Sequence, residues 1–175
     1  MSLEHITYRV RQFWHALTGS LAEEDWHEVQ SLLTPAQLAL FQEMSAAEQA
    51  HSLRVLRSLQ TAGTQDQDLW TAALLHDVGK SRGSLSLWDR VWIVLAPESL
   101  SSDRNRQNSN QLASRQPLVV ATEHAAWGAE MAARAGASSK TVWLIRHHET
   151  QDFQSLEGSP YLTQLQKLIE ADNQN

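Results

Sequence analysis

The sequence predicts an all-α protein, and three of its features support that prediction. Apolar residues recur at helical spacing through most of the 175 residues, and no stretch alternates with period two for long. Glycine and proline are sparse, at 7 and 4. Hydrophobic residues make up 42% of the chain, which is enough to build the core of one domain of ordinary size. We therefore expect a helical bundle with additional helices at its N-terminal side.

The first four predicted helices are bounded by residues that commonly begin or end helices. A helix over about 3–17 would end near Gly19, and a second would cover about 22–33. Thr34-Pro35, an N-cap followed by proline at the first helical position, predicts a third helix to about residue 44. Ser45-Ala46-Ala47-Glu48 matches a capping box and predicts a fourth helix to about residue 59. We expect residues 1–44 to pack as N-terminal helices on a domain formed by residues 45–175.

The remaining segments surround a polar insertion. Asp68 or its neighbour is expected to cap a helix through residue 78, with Gly79 as a left-handed end. Residues 87–95 have a helical pattern, whereas residues 98–117 are rich in Ser, Asn, Gln and Arg, which is typical of a loop. Three further helices are predicted over about 122–135, closed by Gly136, and over 139–149 and 160–173.

Composition excludes several classes of function. Lys and Arg number 14 against 20 Asp and Glu, a net charge of −6, which argues against a nucleic-acid polymer as partner. The absence of cysteine excludes disulfides, thiolate nucleophiles and Cys-ligated metals, so imidazole from the 8 His is the remaining soft metal ligand. No secretory signal is evident, and the longest apolar run, 91–96, is far shorter than the roughly 20 residues that span a bilayer. We expect a cytoplasmic protein without stable membrane insertion.

One segment carries the strongest chemical signal, the adjacent pair His76-Asp77 at the end of an apolar helix. Leu74 and Leu75 should be buried, and the next two side chains with them. Burying a carboxylate without a partner is costly, and a divalent cation is a suitable partner for imidazole plus carboxylate. His51, 25 residues earlier, would lie nearby if the two helices are antiparallel neighbours.

Other candidates are weaker when taken singly. Glu123-His124 opens a later helix, and His147-His148-Glu149 ends another apolar one. Taken alone, His51 would more often be an ordinary satisfied or exposed histidine, and Asp172 a solvated residue near the chain end. His5, His15 and His27 have no matching context and are assigned to surface or satisfied core positions.

In its order along the chain, the whole set resembles the HD superfamily of metal-dependent phosphohydrolases. The resemblance begins at about Glu48 and rests on the motif His76-Asp77-Val78-Gly79-Lys80 with the flanking histidines and Asp172. It implies an all-α bundle in which one metal is bound by His51, His76, Asp77 and Asp172. Members with extra histidines hold a second metal bridged by the HD aspartate, and this set is matched by His124 and by one or both of His147 and His148. Gly-Tyr-Pro does not follow Glu149, so the HD-GYP subgroup is not assigned.

The resemblance also implies an activity. We expect hydrolysis of a phosphomonoester or phosphodiester bond in a small phosphorylated substrate, of nucleotide or dinucleotide type. The cofactor would be one or two divalent transition metals, Mn, Fe, Ni, Zn or Co, or else Mg. Catalytic roles are assigned to Asp77 and Lys80, and substrate binding to Lys80, Arg82 and Arg146. Two alternatives stay open: an HD-type di-iron oxygenase on the same ligands, and a nucleotide-binding signalling module.

Overall fold

The computed structural model describes residues 21–83 and 123–175, and within these ranges every regular element is a helix. Short 3₁₀ segments lie at Val78–Gly83 and Gln154–Leu156. The α-helices are α1 (Glu23–Leu32), α2 (Pro35–Glu43), α3 (Ala46–Thr61), α4 (Gln67–Leu75), α5 (123–134), α6 (Ser139–His147) and α7 (Leu162–Asn173). The all-α prediction is confirmed. The predicted helices at 3–17 and 87–95 and the predicted loop at 98–117 lie outside the described residues.

Local sequence signals set the starts of α2 and α3. The Thr34 hydroxyl accepts a hydrogen bond from the backbone N–H of Gln37, whose side-chain oxygen accepts one from the N–H of Thr34. Ser45 and Glu48 make the same reciprocal pair, at 3.3 and 2.8 Å. These capping boxes satisfy amides that have no partner within the helix. The Glu48 side chain therefore caps the start of α3.

Helix α4 lies at the centre of the bundle. It packs against α3 and α6, and also contacts α1, α2 and α7. All of residues 71–75 are buried, because an apolar helix surrounded by others can bury its whole circumference. The N-terminal helices share this core, to which they contribute Val29, Leu33, Phe41 and Met44.

The end of α4 differs from the prediction. The helix stops at Leu75 and not at residue 78. Its N-terminal cap is Asp66, which accepts a hydrogen bond from the N–H of Leu69, and not Asp68 or a residue next to it. Gly79 is not a left-handed helix end, since the glycines with positive φ in the described residues are 63, 136 and 158. It is instead a point of close approach: a Cβ on Gly79 would overlap the carbonyl oxygen of His124 and come within 2.7 Å of the amide nitrogen of Gly128. Gly136, at φ +76°, does take the predicted left-handed conformation after α5.

Among the described residues, no helix is both long enough and apolar enough to cross a membrane.

Candidate metal centre

The C-terminal end of α4 places two chemically active side chains in the interior. His76 is fully buried and Asp77 nearly so. Both lie in the turn between α4 and the 3₁₀ segment. A buried imidazole and a buried carboxylate require polar or charged neighbours, and these come from four other helices.

Helices α3 and α7 supply one side of the cluster. His51 Nε2 lies 2.8 Å from Asp172 Oδ1, although the two residues are 121 positions apart in the chain. The same oxygen lies 3.5 Å from His76 Nε2. His76 Nε2 is also 3.7 Å from Asp77 Oδ2. His51, His76, Asp77 and Asp172 are thus brought together, as the sequence resemblance implies.

Helices α5 and α6 supply the other side. The Nε2 atoms of His124 and His148 lie 3.7 and 3.8 Å from Asp77 Oδ1. Both imidazoles are buried. Their rings are 5.3 Å apart, and the ring of His148 is 5.1 Å from that of His76, so the three rings pack edge to face in one cluster.

Two groups in the described residues have the composition and spacing of metal sites, and Asp77 belongs to both. One contains His51, His76 and Asp77, and the other contains Asp77, His124 and His148, with ligand atoms within 4.8 Å of one another in each. Asp77 presents Oδ2 to the first group and Oδ1 to the second. Its carboxylate therefore has the placement of a bridge.

The hydrogen bonds of two histidines fix which nitrogen faces the cluster. Nδ1 of His76 donates to the carbonyl of Ala73 at 2.9 Å, and Nδ1 of His148 donates to the carbonyl of Ile145 at 2.8 Å. A carbonyl oxygen only accepts, so Nδ1 carries the proton and the lone pair of a neutral ring lies on Nε2. Backbone hydrogen bonds of this kind commonly orient metal-binding imidazoles.

The surroundings of His76 Nε2 test whether a cation fits. This atom is buried, has no hydrogen-bond partner among the described residues, and faces carboxylate oxygens at 3.5 and 3.7 Å. A lone pair facing two anionic oxygens is favourable only if a proton or a cation lies between them. Imidazole nitrogens with carboxylate oxygens form a donor set that suits divalent transition metals. The residues present fit such an ion.

The charged groups of the cluster shift one another's pKa values. Burial would raise the pKa of Asp77, but the charge of His76 and the Lys80 hydrogen bond hold it below its usual value. Burial would also raise the pKa of Asp172, whereas His51 and His76 lower it strongly. Burial lowers the pKa of His148 to about 4, helped by the charge of His76, so its imidazole is neutral at pH 7. Burial would lower the pKa of His76 too, but the carboxylates of Asp172 and Asp77 raise it overall.

The three basic residues assigned to substrate binding are placed differently. Lys80 Nζ donates to Asp77 Oδ2 at 2.6 Å, so its side chain turns back to the cluster. The turn is made by the 3₁₀ segment, in which the N–H of Lys80 bonds to the carbonyl of Asp77. Arg82 is exposed and lies 3.6 Å from Glu130, and Arg146 is exposed on α6. The structure brings only Lys80, among these three, into contact with Asp77.

His147 and His148 are separated by the fold. His148 continues the buried face of α6, and His147 belongs to neither metal-binding group in the described residues. Nδ1 of His147 donates to the carbonyl of Trp143 at 2.8 Å, and its ring lies 4.4 Å from the Trp143 ring. Of the two histidines, only His148 belongs to a group with the spacing of a metal site. His27 is exposed on α1, and His5 and His15 lie outside the described residues.

Glu149 also lies at this site, although the sequence assigns it no role beyond its place after His147-His148. Its Oε1 lies 3.3 Å from His124 Nε2. It also lines a pocket of about 350 Å³ that opens beside the cluster and is bounded by His148, Glu149, Thr150, Gln151, Ile169, Asp172 and Asn173. The sequence feature that points to Glu149 is its position directly after His147 and His148.

The fold and the site together define an all-α protein that gathers histidines and aspartates from five helices around one shared carboxylate. The family model described as HD domain matches residues 49–173, and the chain belongs to that family. Its members form a superfamily of metal-dependent phosphohydrolases that bind divalent metals. No curated protein and no solved structure matches the chain.

Proposed function

We propose that this chain is a phosphohydrolase that uses one or two divalent cations to cleave a phosphomonoester or phosphodiester bond in a small nucleotide. The observation that carries the proposal is the placement of Asp77, whose two oxygens face two different histidine groups. The proposed ligands of the first cation are His51, His76, Asp77 and Asp172. Those of the second are Asp77, His124 and His148.

The chain's own residues prepare the site for this chemistry. The backbone carbonyls of Ala73 and Ile145 hold the rings of His76 and His148 with Nε2 toward the cluster. His51 Nε2 lies 2.8 Å from Asp172 Oδ1, so a cation held by both residues would take the place of the proton in this hydrogen bond. Bound divalent cations supply Lewis acidity, which polarises a phosphoryl oxygen and lowers the pKa of water.

Lys80 is proposed to neutralise phosphate charge. Its ammonium group contacts Asp77 Oδ2 and its side chain is about two-fifths exposed, so it can serve both the carboxylate and a ligand that enters from solvent. A positive group held at a developing negative charge stabilises the transition state. Such local compensation is needed in a chain with a net charge of −6.

The pocket supports a small substrate. Its volume of about 350 Å³ lies at the lower end of the range for small-molecule sites, which is about 300–1,000 Å³. His148 and Asp172 are among its lining residues, and Gln151 and Asn173 add amides that can hydrogen-bond a sugar or a base. These features favour a nucleotide over a polymer.

Metal analysis combined with a substrate panel tests the proposal. The purified protein, loaded with Mn²⁺, should contain one or two ions per chain and hydrolyse at least one of the nucleoside mono-, di- and cyclic phosphates, dinucleoside polyphosphates and nitrophenyl phosphates. Asp77→Asn should lose metal and activity. Asp152→Asn is the matched control, because the Asp152 side chain is an exposed acceptor of backbone N–H groups and an amide oxygen can replace it.

Two results would overturn the proposed function. Wild-type protein that stays folded and free of metal after supplementation contradicts the metal site. Protein that contains iron, consumes oxygen and turns over none of the phosphate esters supports the di-iron oxygenase instead.

A further inference from the structure

Glu149 occupies a position at the second histidine group that parallels the position of Asp172 at the first. Asp172 Oδ1 lies 3.5 Å from His76 Nε2, and Glu149 Oε1 lies 3.3 Å from His124 Nε2. Each histidine also faces one oxygen of Asp77 at 3.7 Å. Each of these two imidazole nitrogens is therefore flanked by the shared carboxylate and by one outer carboxylate.

The two groups are otherwise unequal. The proposed first cation has four ligands, because Asp172 joins His51, His76 and Asp77, whereas the proposed second cation has only the three members of its group, Asp77, His124 and His148. Two dications bring four positive charges, and Asp77 with Asp172 returns only two negative ones. A carboxylate near His124 would give the second cation a fourth ligand and would add a third negative charge to the site.

We propose that Glu149 is a further metal ligand, completing the second cation site together with Asp77, His124 and His148. This inference rests on the proposed function, since it requires that the second group binds a cation. In this assignment the Glu149 carboxylate binds the second cation directly.

The distance between Glu149 and His124 agrees with a shared ion. Donors about 2.0–2.2 Å from one cation lie roughly 2.8–3.6 Å apart at octahedral or tetrahedral angles. The 3.3 Å between Glu149 Oε1 and His124 Nε2 falls within this range. Exposed acid–histidine pairs need no ion to explain them, but here the histidine is buried and its ring borders that of His148.

Glu149 is also placed so that it could bind the cation without blocking the access of substrate. Its side chain is half exposed and lines the pocket, whereas those of His124 and His148 are nearly inaccessible. Glu149 would therefore bind from the side on which substrate enters. A six-coordinate ion with four protein donors keeps two positions for water or substrate.

Calorimetric titration of the metal-free protein with Mn²⁺ tests the assignment. Wild type should bind two ions per chain. Glu149→Gln keeps the size of the side chain and removes its charge, and it should weaken the second binding event by about 10–100-fold while the first stays within about twofold of wild type. Glu157→Gln is the matched control, because Glu157 is exposed and lies on the loop before α7. It should titrate like wild type, and circular dichroism should show equal helicity for all three proteins.

The outcomes separate this inference from the function on which it rests. If wild type and Glu149→Gln both bind two ions with the same affinities, Glu149 is not a ligand and the proposed metal site stands. A wild type that binds a single ion also overturns the assignment of Glu149. A wild type that binds none overturns the proposed function and this assignment together.

Discussion

Gly79 packs backbone to backbone against His124, with no room between them for a methyl group. The contact joins the 3₁₀ segment that follows His76-Asp77 to the helix that carries His124. It therefore sets the separation between the two sides of the candidate metal centre. Across that separation, Asp77 Oδ1 lies 3.7 Å from His124 Nε2.

Gly79→Ala should separate the two sides of the site. The added Cβ would meet the His124 carbonyl and the Gly128 amide, which are backbone atoms and cannot rotate away. Overpacking of this kind costs about 1–3 kcal/mol. Urea denaturation should show that loss, and Mn²⁺ titration should show weakened binding. Gly63→Ala is the control: its Cβ meets no atom within 4 Å, but φ is +77°, so stability should fall while Mn²⁺ binding stays unchanged.

Lys80→Met should separate metal binding from turnover. Lys80 contacts Asp77 but offers no lone pair while it is charged, so the number of bound ions should stay as in wild type. Loss of its positive charge should lower kcat/KM on the order of 100-fold, measured on whichever phosphate ester the protein hydrolyses. Lys167→Met, at an exposed position of α7, should leave kcat/KM unchanged. Equal kcat/KM values for the two variants would remove Lys80 from the reaction.

Local signals predicted the helices well because capping is a short-range interaction. Ser45 and Glu48 are three residues apart and satisfy each other's neighbouring amides, so the pattern and the structure coincide. The prediction of a left-handed helix end at Gly79 is wrong because glycine is used for two different structural purposes. Glycine permits a left-handed helix end and also permits close backbone approach, and only the position of α5 decides between them.

The long-range part of the site could not be derived from spacing. His51 and Asp172 meet across 121 residues, and their pairing was expected only because the chain resembles the HD superfamily. The choice between His147 and His148 was within reach of the sequence. Thr141, Leu144, Ile145 and His148 follow the i, i+3, i+4, i+7 pattern of one buried helix face, whereas His147 lies beside it. Glu149 is half exposed and has no such pattern.

Asp25→Asn tests how the N-terminal helices are held to the bundle. Asp25 in α1 accepts hydrogen bonds from the N–H of Ala22 and from Arg57 in α3, and these lower its pKa. Stabilisation by a lowered carboxyl pKa is complete above the unfolded value, near 3.9, and is lost as the pH falls through the folded value. Because Arg57 is about half exposed, the variant should lose less than about 1 kcal/mol at pH 7.

Lowering the pH should reduce the stability of wild type more than that of Asp25→Asn. Wild type should lose this increment below about pH 4, whereas Asp25→Asn has no carboxylate to protonate and should show a smaller acid-induced loss. Urea denaturation at pH 7 and pH 3 measures both quantities. Glu24→Gln, at an exposed neighbouring position in α1, is the control. An identical acid-induced loss in wild type and Asp25→Asn would show that the ion pair contributes nothing to stability.

The adjacent histidines of α6 offer the sharpest internal comparison. His148→Ala should weaken Mn²⁺ binding by at least about 10-fold, because it removes a buried imidazole whose Nε2 faces Asp77 Oδ1. His147→Ala should leave Mn²⁺ binding within about twofold of wild type, because that ring packs on Trp143 and lies outside both metal-binding groups. Its effect should appear instead in the tryptophan fluorescence, since the ring 4.4 Å from the indole is lost. Titration of both variants under one set of conditions decides the matter: equal weakening would place His147 among the ligands, and no weakening in either would exclude His148.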